Sequence, residues 1–541
     1  MLHNSRILVH HLSYHLSNGK NLLKDLTLTF LAHKIGLVGR NGIGKSTLMK
    51  IIIDEYQPSS GTIEVHGKLA YVSQDIVVAP DSTIAAILGF EKKRAAYQKI
   101  LSGSAQESDY VIFQDDWGFE KRLQNQLAIF DLESMPHDRP ISTLSGGELT
   151  RLMLIKAFHS GAHFLLLDEP TNHLDKIGRI QLYEMIKQWQ DGLLIISHDR
   201  RLLNLMEEIV ELSSLGANSY GGNYDAYTSQ KELDKAAKIQ QLHDAKKEIL
   251  KAKKSIQVSR EKHEQKQAYG QKLRKSGATD KLSANAAKGR SEHSQSKMLI
   301  KEERMQENAH NALQAAKEKI EIIEIIQVKL PETKVPMGKM ILNIEDLSFS
   351  YAEMAEPLIK HFNLKMHGPM HLALEGDNGS GKTTLIKLIL GFLKPNQGKI
   401  ELGTQHIAYL DQTASLLYPE CTVLENFMRL NPEANENEAY QALAKFLFKN
   451  VSALKQVKNL SSGEKLRALL ACILMAKYPP QLLILDEPTN HLDICSVTSI
   501  ETALNAYQGA MIVISHDQQF LENIGVEEII RAPFKKIIQC A

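Results

Sequence analysis

The chain repeats itself, and the repeat constrains its fold more than any bulk property. Gly39-Arg40-Asn41-Gly42-Ile43-Gly44-Lys45-Ser46-Thr47 recurs as Gly376-Asp377-Asn378-Gly379-Ser380-Gly381-Lys382-Thr383-Thr384. Leu144-Ser145-Gly146-Gly147-Glu148 returns as Leu460-Ser461-Ser462-Gly463-Glu464. LDEPTNHLD runs unchanged from Leu167 to Asp175 and from Leu485 to Asp493, and Ile196-Ser197-His198-Asp199 becomes Ile514-Ser515-His516-Asp517. The separations are 337, 316, 318 and 318 residues. Four motifs in one order at a near-constant offset mean two homologous domains, the first with a surplus between its first two motifs.

Each copy reads as an α/β unit. A short apolar strand (35–38; 371–374) precedes each glycine-rich loop, and a helical pattern follows it at Leu48, Ile51 and Ile52, and at Leu385, Leu388 and Ile389. Residues 164–167 and 482–485 read as buried strands ending in a carboxylate; 193–196 and 511–514 read as strands leading to a histidine. Parallel α/β sheets bind ligands beyond the carboxyl ends of their strands, so these polar ends are expected to converge.

Different material lies between the copies. Residues 231–330 hold 23 Lys+Arg against 14 Asp+Glu, a net of +9 in a chain whose total is +1. No proline occurs between Pro170 and Pro331, and Tyr269 is the one aromatic in 231–330. Leu242, Ile249 and Ile256 recur every seven residues, and Leu313, Ala316, Ile320 and Ile323 follow a 3-4-3 pattern. This predicts an antiparallel coiled hairpin whose first helix has about forty residues, about 60 Å. Its crossing is expected around Gly270–Arg290, where Gly270, Gly277 and Gly289 interrupt the pattern. The expected domains are 1–228, 229–335 and 336–541. A basic block on an otherwise acidic chain points to a polyanionic partner.

The motifs carry chemistry. GxxxxGK[ST] wraps backbone N–H groups around phosphate oxygens; Lys45 and Lys382 neutralise the β/γ-phosphates, and Ser46 and Thr383 are placed to ligate Mg²⁺. Asp168 and Asp486 end apolar strands, which suits a carboxylate holding Mg²⁺ through water. Glu169 and Glu487 follow directly and are placed to orient or deprotonate an attacking water. His198 and His516 lie 30 residues beyond their aspartates, a duplicated spacing that favours γ-phosphate sensing. Gln74 and Gln412 follow the lysines by 29 and 30 residues and are read as ligands of Mg²⁺ or water.

This whole set resembles the ATP-binding cassette ATPases. The duplicated LDEPTNHLD and the charged helical linker are similar to the ABC-F branch of soluble, translation-associated twin-cassette proteins, over nearly the whole chain. The resemblance implies two tandem P-loop cassettes forming a monomeric, intramolecular pseudo-dimer that hydrolyses ATP with Mg²⁺. It places one ATP on Gly39, Asn41, Gly42, Gly44, Lys45, Ser46 and Thr47 with Ser461 and Gly463 opposite. The other lies on Gly376, Asn378, Gly379, Gly381, Lys382, Thr383 and Thr384 with Ser145 and Gly147 opposite. It also implies adenine stacking on Tyr351; Leu16 takes the matching place in the first copy, with Tyr14 two residues away. Ser462 replaces the usual first signature glycine, so the two sites are expected to be unequal.

The implied partner is the ribosome, through rRNA or peptidyl-site tRNA at residues 231–330. A translation factor and an antibiotic-resistance ribosome protection protein share every catalytic residue named above. The ATPase subunit of a transporter fits less well: no run approaches the ~18–20 apolar residues that cross a bilayer. The start reads as polar, without a signal segment, and Cys421, Cys472, Cys495 and Cys540 form no CxxC pair. A cytoplasmic protein with reduced thiols is expected.

Overall fold

The computed structural model describes every residue except 1–4, 17–18, 20, 75, 77–78, 80–81, 276–299, 301–302, 306, 309, 315–329, 332, 352–355, 378, 412–413, 491, 533–535 and 540–541. The chain divides into two compact units. One comprises Met1–Tyr224 with Glu324–Ala541, both copies together; the other is Asp225–Ile323.

In the first copy the strands are β1 (Arg6–His15), β2 (Asn21–Leu31), β3 (Lys34–Val38), β4 (Ser60–His66), β5 (Leu69–Val72), β6 (Phe164–Asp168), β7 (Gly192–Ile196), β8 (Glu208–Ser213) and β9 (Gly216–Gly221). The second repeats them as β10 (Met340–Phe349), β11 (Ile359–His367), β12 (His371–Glu375), β13 (Gln397–Leu402), β14 (Ile407–Leu410), β15 (Leu482–Asp486), β16 (Ala510–Ile514), β17 (Glu528–Arg531) and β18 (Lys536–Gln539). Each copy has a three-stranded antiparallel sheet, β2-β1-β4 or β11-β10-β13, and a six-stranded sheet. The larger sheets run β5-β6-β7-β3-β8-β9 and β14-β15-β16-β12-β17-β18, parallel except for the last strand of each. The expected α/β class and duplication are observed.

Strand order positions the site. In both large sheets the strand before the glycine-rich loop lies beside the strand ending at the histidine, which lies beside the strand ending in Asp-Glu. Every residue of β6, β7, β15 and β16 is buried. Both faces of these sheets are covered, so the strands read as unbroken apolar runs rather than alternating ones. Leu166, wholly buried with Phe164, Ile35, Leu37 and Leu194, belongs to that core. Leu166→Ala is expected to cost about 2–5 kcal/mol. The measurement is the urea midpoint of the first cassette's unfolding transition; an unchanged midpoint would contradict this packing.

In the linker unit, Tyr224–Lys275 forms one helix of 52 residues, about 78 Å at ~1.5 Å per residue. This is longer than the expected forty residues, and Gly270 lies within the helix; the rest of the expected crossing, 276–290, lies outside the described residues. One glycine costs about 1 kcal/mol in a helix, too little to stop one flanked by strong helix formers. Residues 242, 245, 249, 252, 256 and 259 are less exposed than most of their helix neighbours, and Ile256 is buried. That is the spacing of a coiled-coil a/d stripe. Leu313 is helical, whereas Ala316, Ile320, Ile323, Gly277 and Gly289 lie outside the described residues.

Candidate functional site

The loop after β3 works because its glycines sit where a side chain would not fit. Gly39 has φ +151°, and a Cβ there would meet the Leu212 carbonyl oxygen at 2.3 Å. Gly44 has φ +110° and caps the helix Lys45–Ile52, as Gly381 at φ +95° caps Lys382–Ile389. A helix N-terminus with free backbone N–H groups is an anion site. Lys45 Nζ donates to the carbonyls of Gly39 at 2.7 Å and Arg40 at 3.1 Å; Lys382 does the same to Gly376 at 2.5 Å and Asp377 at 2.9 Å. Burial lowers the pKa of both lysines.

Each loop opens on a pocket. The first, about 470 Å³, is lined by Asn41, Gly42, Gly44, Lys45, Ser46 and Thr47 with Gln74, Asp168, Glu169 and His198. The second, about 400 Å³, is lined by Gly379, Gly381, Lys382, Thr383 and Thr384 with Asp486, Glu487, His516 and Tyr351. Asn378 and Gln412 lie outside the described residues. Tyr351 Oη is 3.1 Å from Thr384 Oγ1. In the first copy Leu16 and Leu22 line the pocket, while Tyr14 stacks on Tyr56 at 6.0 Å between ring centroids.

The carboxylates are buried: Asp168 is 2% exposed and Asp486 5%. Asp486 Oδ2 accepts from Thr383 Oγ1 at 3.4 Å and Tyr409 Oη at 3.2 Å; burial still raises its pKa. The next residue in each copy departs from ordinary backbone. Glu169 has φ +48° and Glu487 φ +50°, a region that costs a non-glycine residue about 1–3 kcal/mol. Their backbone N–H groups donate to the carbonyls of Ile196 and Ile514, both at 2.9 Å. The turn carries each carboxyl to the histidine of the neighbouring strand. Glu169 Oε1 is 3.1 Å from His198 Nε2, and Glu487 Oε1 is 3.3 Å from His516 Nε2. Burial pushes Glu169 up to about 8 and Glu487 to about 7, and pushes His198 down to about 3 and His516 to about 4. A neutral imidazole thus faces a carboxyl whose proton affinity lies near neutrality, where a general base is most effective.

The LSGGE-like motifs are capping boxes. Ser145 Oγ accepts from Glu148 N–H at 3.3 Å while Glu148 accepts from Ser145 N–H at 2.7 Å; Ser461 and Glu464 repeat this at 3.3 and 2.9 Å. Ser462 lines the first pocket; Ser461 and Gly463 do not. A Cβ on Gly463 would meet Ser496 Oγ at 2.4 Å, so this glycine permits close packing. Cassette 1 contributes Asn172, His173, Leu174 and Arg179 to the second pocket, and Ser145 and Gly147 do not line it.

Contacts across the copies, among them the following, had no counterpart in the sequence motifs. Asn41 N–H donates to Asp493 Oδ2 at 2.8 Å. Arg200 makes a forked pair with Glu501 at 3.1 and 3.3 Å, and Lys176 Nζ lies 3.2 Å from Glu375. Asp493 closes the second LDEPTNHLD, so duplication could have flagged it; nothing in the sequence flags the other two pairs.

Comparison with known proteins agrees with this geometry. The sequence pattern of the family described as ABC transporter matches residues 23–172 and 359–490. ATP-binding protein Uup of Haemophilus influenzae is 32% identical over 517 residues, covering 91% of this chain and 73% of that protein. ABC transporter F family member 5 of Arabidopsis thaliana is 31% identical over 537 residues, covering 94% and 72%. Among solved structures, a complex of the archaeal ribosomal stalk protein aP1 and archaeal ribosome recycling factor aABCE1 shares the fold. Its TM-score is 0.53 at 17% identity, covering 97% of this chain and 89% of that one. An RNase-L inhibitor gives a TM-score of 0.55 at 18% identity, covering 98% and 89%. Among the described residues no helix is long and apolar enough to cross a membrane. With its duplicated phosphate loops, strand-end Asp-Glu pairs and these relatives, the chain belongs to the ATP-binding cassette family, to its F branch, and is an ATPase.

Proposed function

We propose that this ATPase closes on two ATP at composite sites and binds the ribosome in the cytoplasm through its basic linker, modulating translation. The carrying observation is the net +9 of residues 231–330 in a chain of net +1; the helix Tyr224–Lys275, which holds the first part of that block, has its less exposed positions on one narrow stripe. Such a stripe buries little, and the surplus charge needs a polyanion. With one aromatic in a hundred residues, contacts run to RNA backbone and shape rather than stacked bases.

At each site the lysine exchanges its loop carbonyls for phosphate oxygens. The glutamate, held left-handed beside a neutral histidine, orients water towards the γ-phosphorus and takes its proton as the β–γ bridging bond breaks. Glu487 Oε2 is buried without a hydrogen-bond partner among the described residues, which leaves an acceptor for that water. Ser46 with Asp168, and Thr383 with Asp486, offer only hard oxygen donors, joined by Gln74 at the first site; this set fits Mg²⁺. When bound, Mg²⁺ neutralises charge on the β- and γ-phosphates. Ser462 and Asp493 cover the first loop from the opposite cassette, so nucleotide capture and closure become one event.

The test is co-sedimentation of the ATP-loaded protein with ribosomes and, separately, with membranes. Binding to membranes alone would replace this reading with the transporter one. Asymmetry has its own check. Ser462 stands over the first loop where a signature glycine is usual, so Lys45→Ala should cost less steady-state ATPase than Lys382→Ala. The expected gap is about 1 kcal/mol, close to fivefold. Equal losses would remove the case.

A further inference from the structure

The helices that follow the two LDEPTNHLD runs differ in one telling place. Four residues beyond Asp493 the chain has Val497, buried; four beyond Asp175 it has Arg179. The arginine lies on Lys176–Gln188, whose N-cap is Asp175, and its side chain is 18% exposed. Nε donates to the Leu174 carbonyl at 3.2 Å, and Nη1 is 3.9 Å from Asp199 Oδ2. Nη2 has no hydrogen-bond partner among the described residues. One nitrogen ties the guanidinium to the turn, and its ion pair with Asp199 stands at the long distance of 3.9 Å.

Arg179 nevertheless belongs to cassette 1 and lines the nucleotide pocket of cassette 2, with Lys382, Thr383, Glu487 and His516. The guanidinium thus shares one pocket with the lysine, the glutamate and the histidine of the second site. Its counterpart on the other helix, Val497, is uncharged and does not line the first pocket.

We propose that Arg179 is a trans-acting cation of the second nucleotide site, contacting the γ-phosphate of ATP held by Lys382. The planar fork of Nη1 and Nη2 suits two phosphate oxygens, which a lysine cannot match bidentately. It neutralises charge that builds as water oxygen bonds to the γ-phosphorus, the β–γ bridging bond breaks, and the water proton passes to Glu487. Because the charge is delivered by the other cassette, hydrolysis at this site becomes conditional on closure, whereas the first site lacks this control. The assignment rests on the composite-site reading above.

The experiment uses full-length protein in a Lys45→Ala background, where turnover comes from the second site. Arginines supplied in trans to other phosphate-loop enzymes contribute about 10³–10⁵ in kcat. Here, beside a resident lysine, Arg179→Val is expected to lower kcat by at least about tenfold, with KM for ATP within about threefold. Arg179→Lys should recover part of the loss, and Arg179→Gln serves if the valine variant fails to fold. The same valine substitution in a Lys382→Ala background should cost several-fold less. Unchanged kcat, a loss confined to KM, or equal losses in both backgrounds would overturn the proposal. Ser145→Arg in the Lys45→Ala background separates the two readings. If it lowers turnover while Arg179→Val does not, the arginine assignment alone fails. If neither does, the composite site fails with it.

Discussion

Glu169→Gln with Glu487→Gln is expected to leave ATP bound and almost unhydrolysed, with turnover lowered about 10²–10⁴-fold. Glutamine keeps the size and shape of the side chain and the backbone bonds to Ile196 and Ile514. It removes the carboxylate proposed to accept the water proton; His198 and His516, 3.1 and 3.3 Å from it, are driven neutral by burial and are weak bases there. The lysines and phosphate-loop N–H groups remain, so equilibrium ATP binding should persist. Phosphate release in steady state, read beside nucleotide binding and melting temperature, checks this. Wild-type hydrolysis in a folded double variant would remove both glutamates from the mechanism.

Changing Lys272, Arg274, Lys275, Lys281, Lys288 and Arg290 to Ala should reduce ribosome association and flatten its salt dependence. Each cation that neutralises a phosphate contributes about 0.7–0.9 to the slope of log K against log salt, so six should remove about 4–5. Lys272, Arg274 and Lys275 end the 52-residue helix; Lys281, Lys288 and Arg290 lie outside the described residues, as does Asp280. Both nucleotide pockets are lined by cassette residues alone, so basal ATPase should be retained. Co-sedimentation across a salt series is the measurement. An unchanged slope, or association with membranes in place of ribosomes, would end the translation reading.

The contrast between what was legible and what was not follows the range of the forces involved. The α/β cassettes could be read from the chain because their determinants are local. Gly39 and Gly44 are needed where a Cβ would collide, buried parallel strands must be apolar throughout, and Asp168 and Asp486 end such strands. The duplication then placed each motif twice, and the sheet order brought loop, carboxylate and histidine to adjacent strand ends as expected. The linker was legible as helical, but the length of its first helix was not, since helix propensity sums over many residues and one glycine does not decide it.

Tertiary structure alone decided the rest. Ser461 and Ser462 are neighbours of identical chemistry; only helix placement turns the first into a cap and the second towards the opposite cassette's pocket. The left-handed backbone of Glu169 and Glu487 is imposed by bonds to a strand about thirty residues away, and local propensity argues against it. Asp493 reaches Asn41 across 452 residues, and Arg179 enters a pocket whose lysine is in the other copy. A sequence determines which groups are available and which local shapes they permit. Which surface of one copy meets which surface of the other depends on packing between distant segments, and near-identical motifs carry no record of that choice.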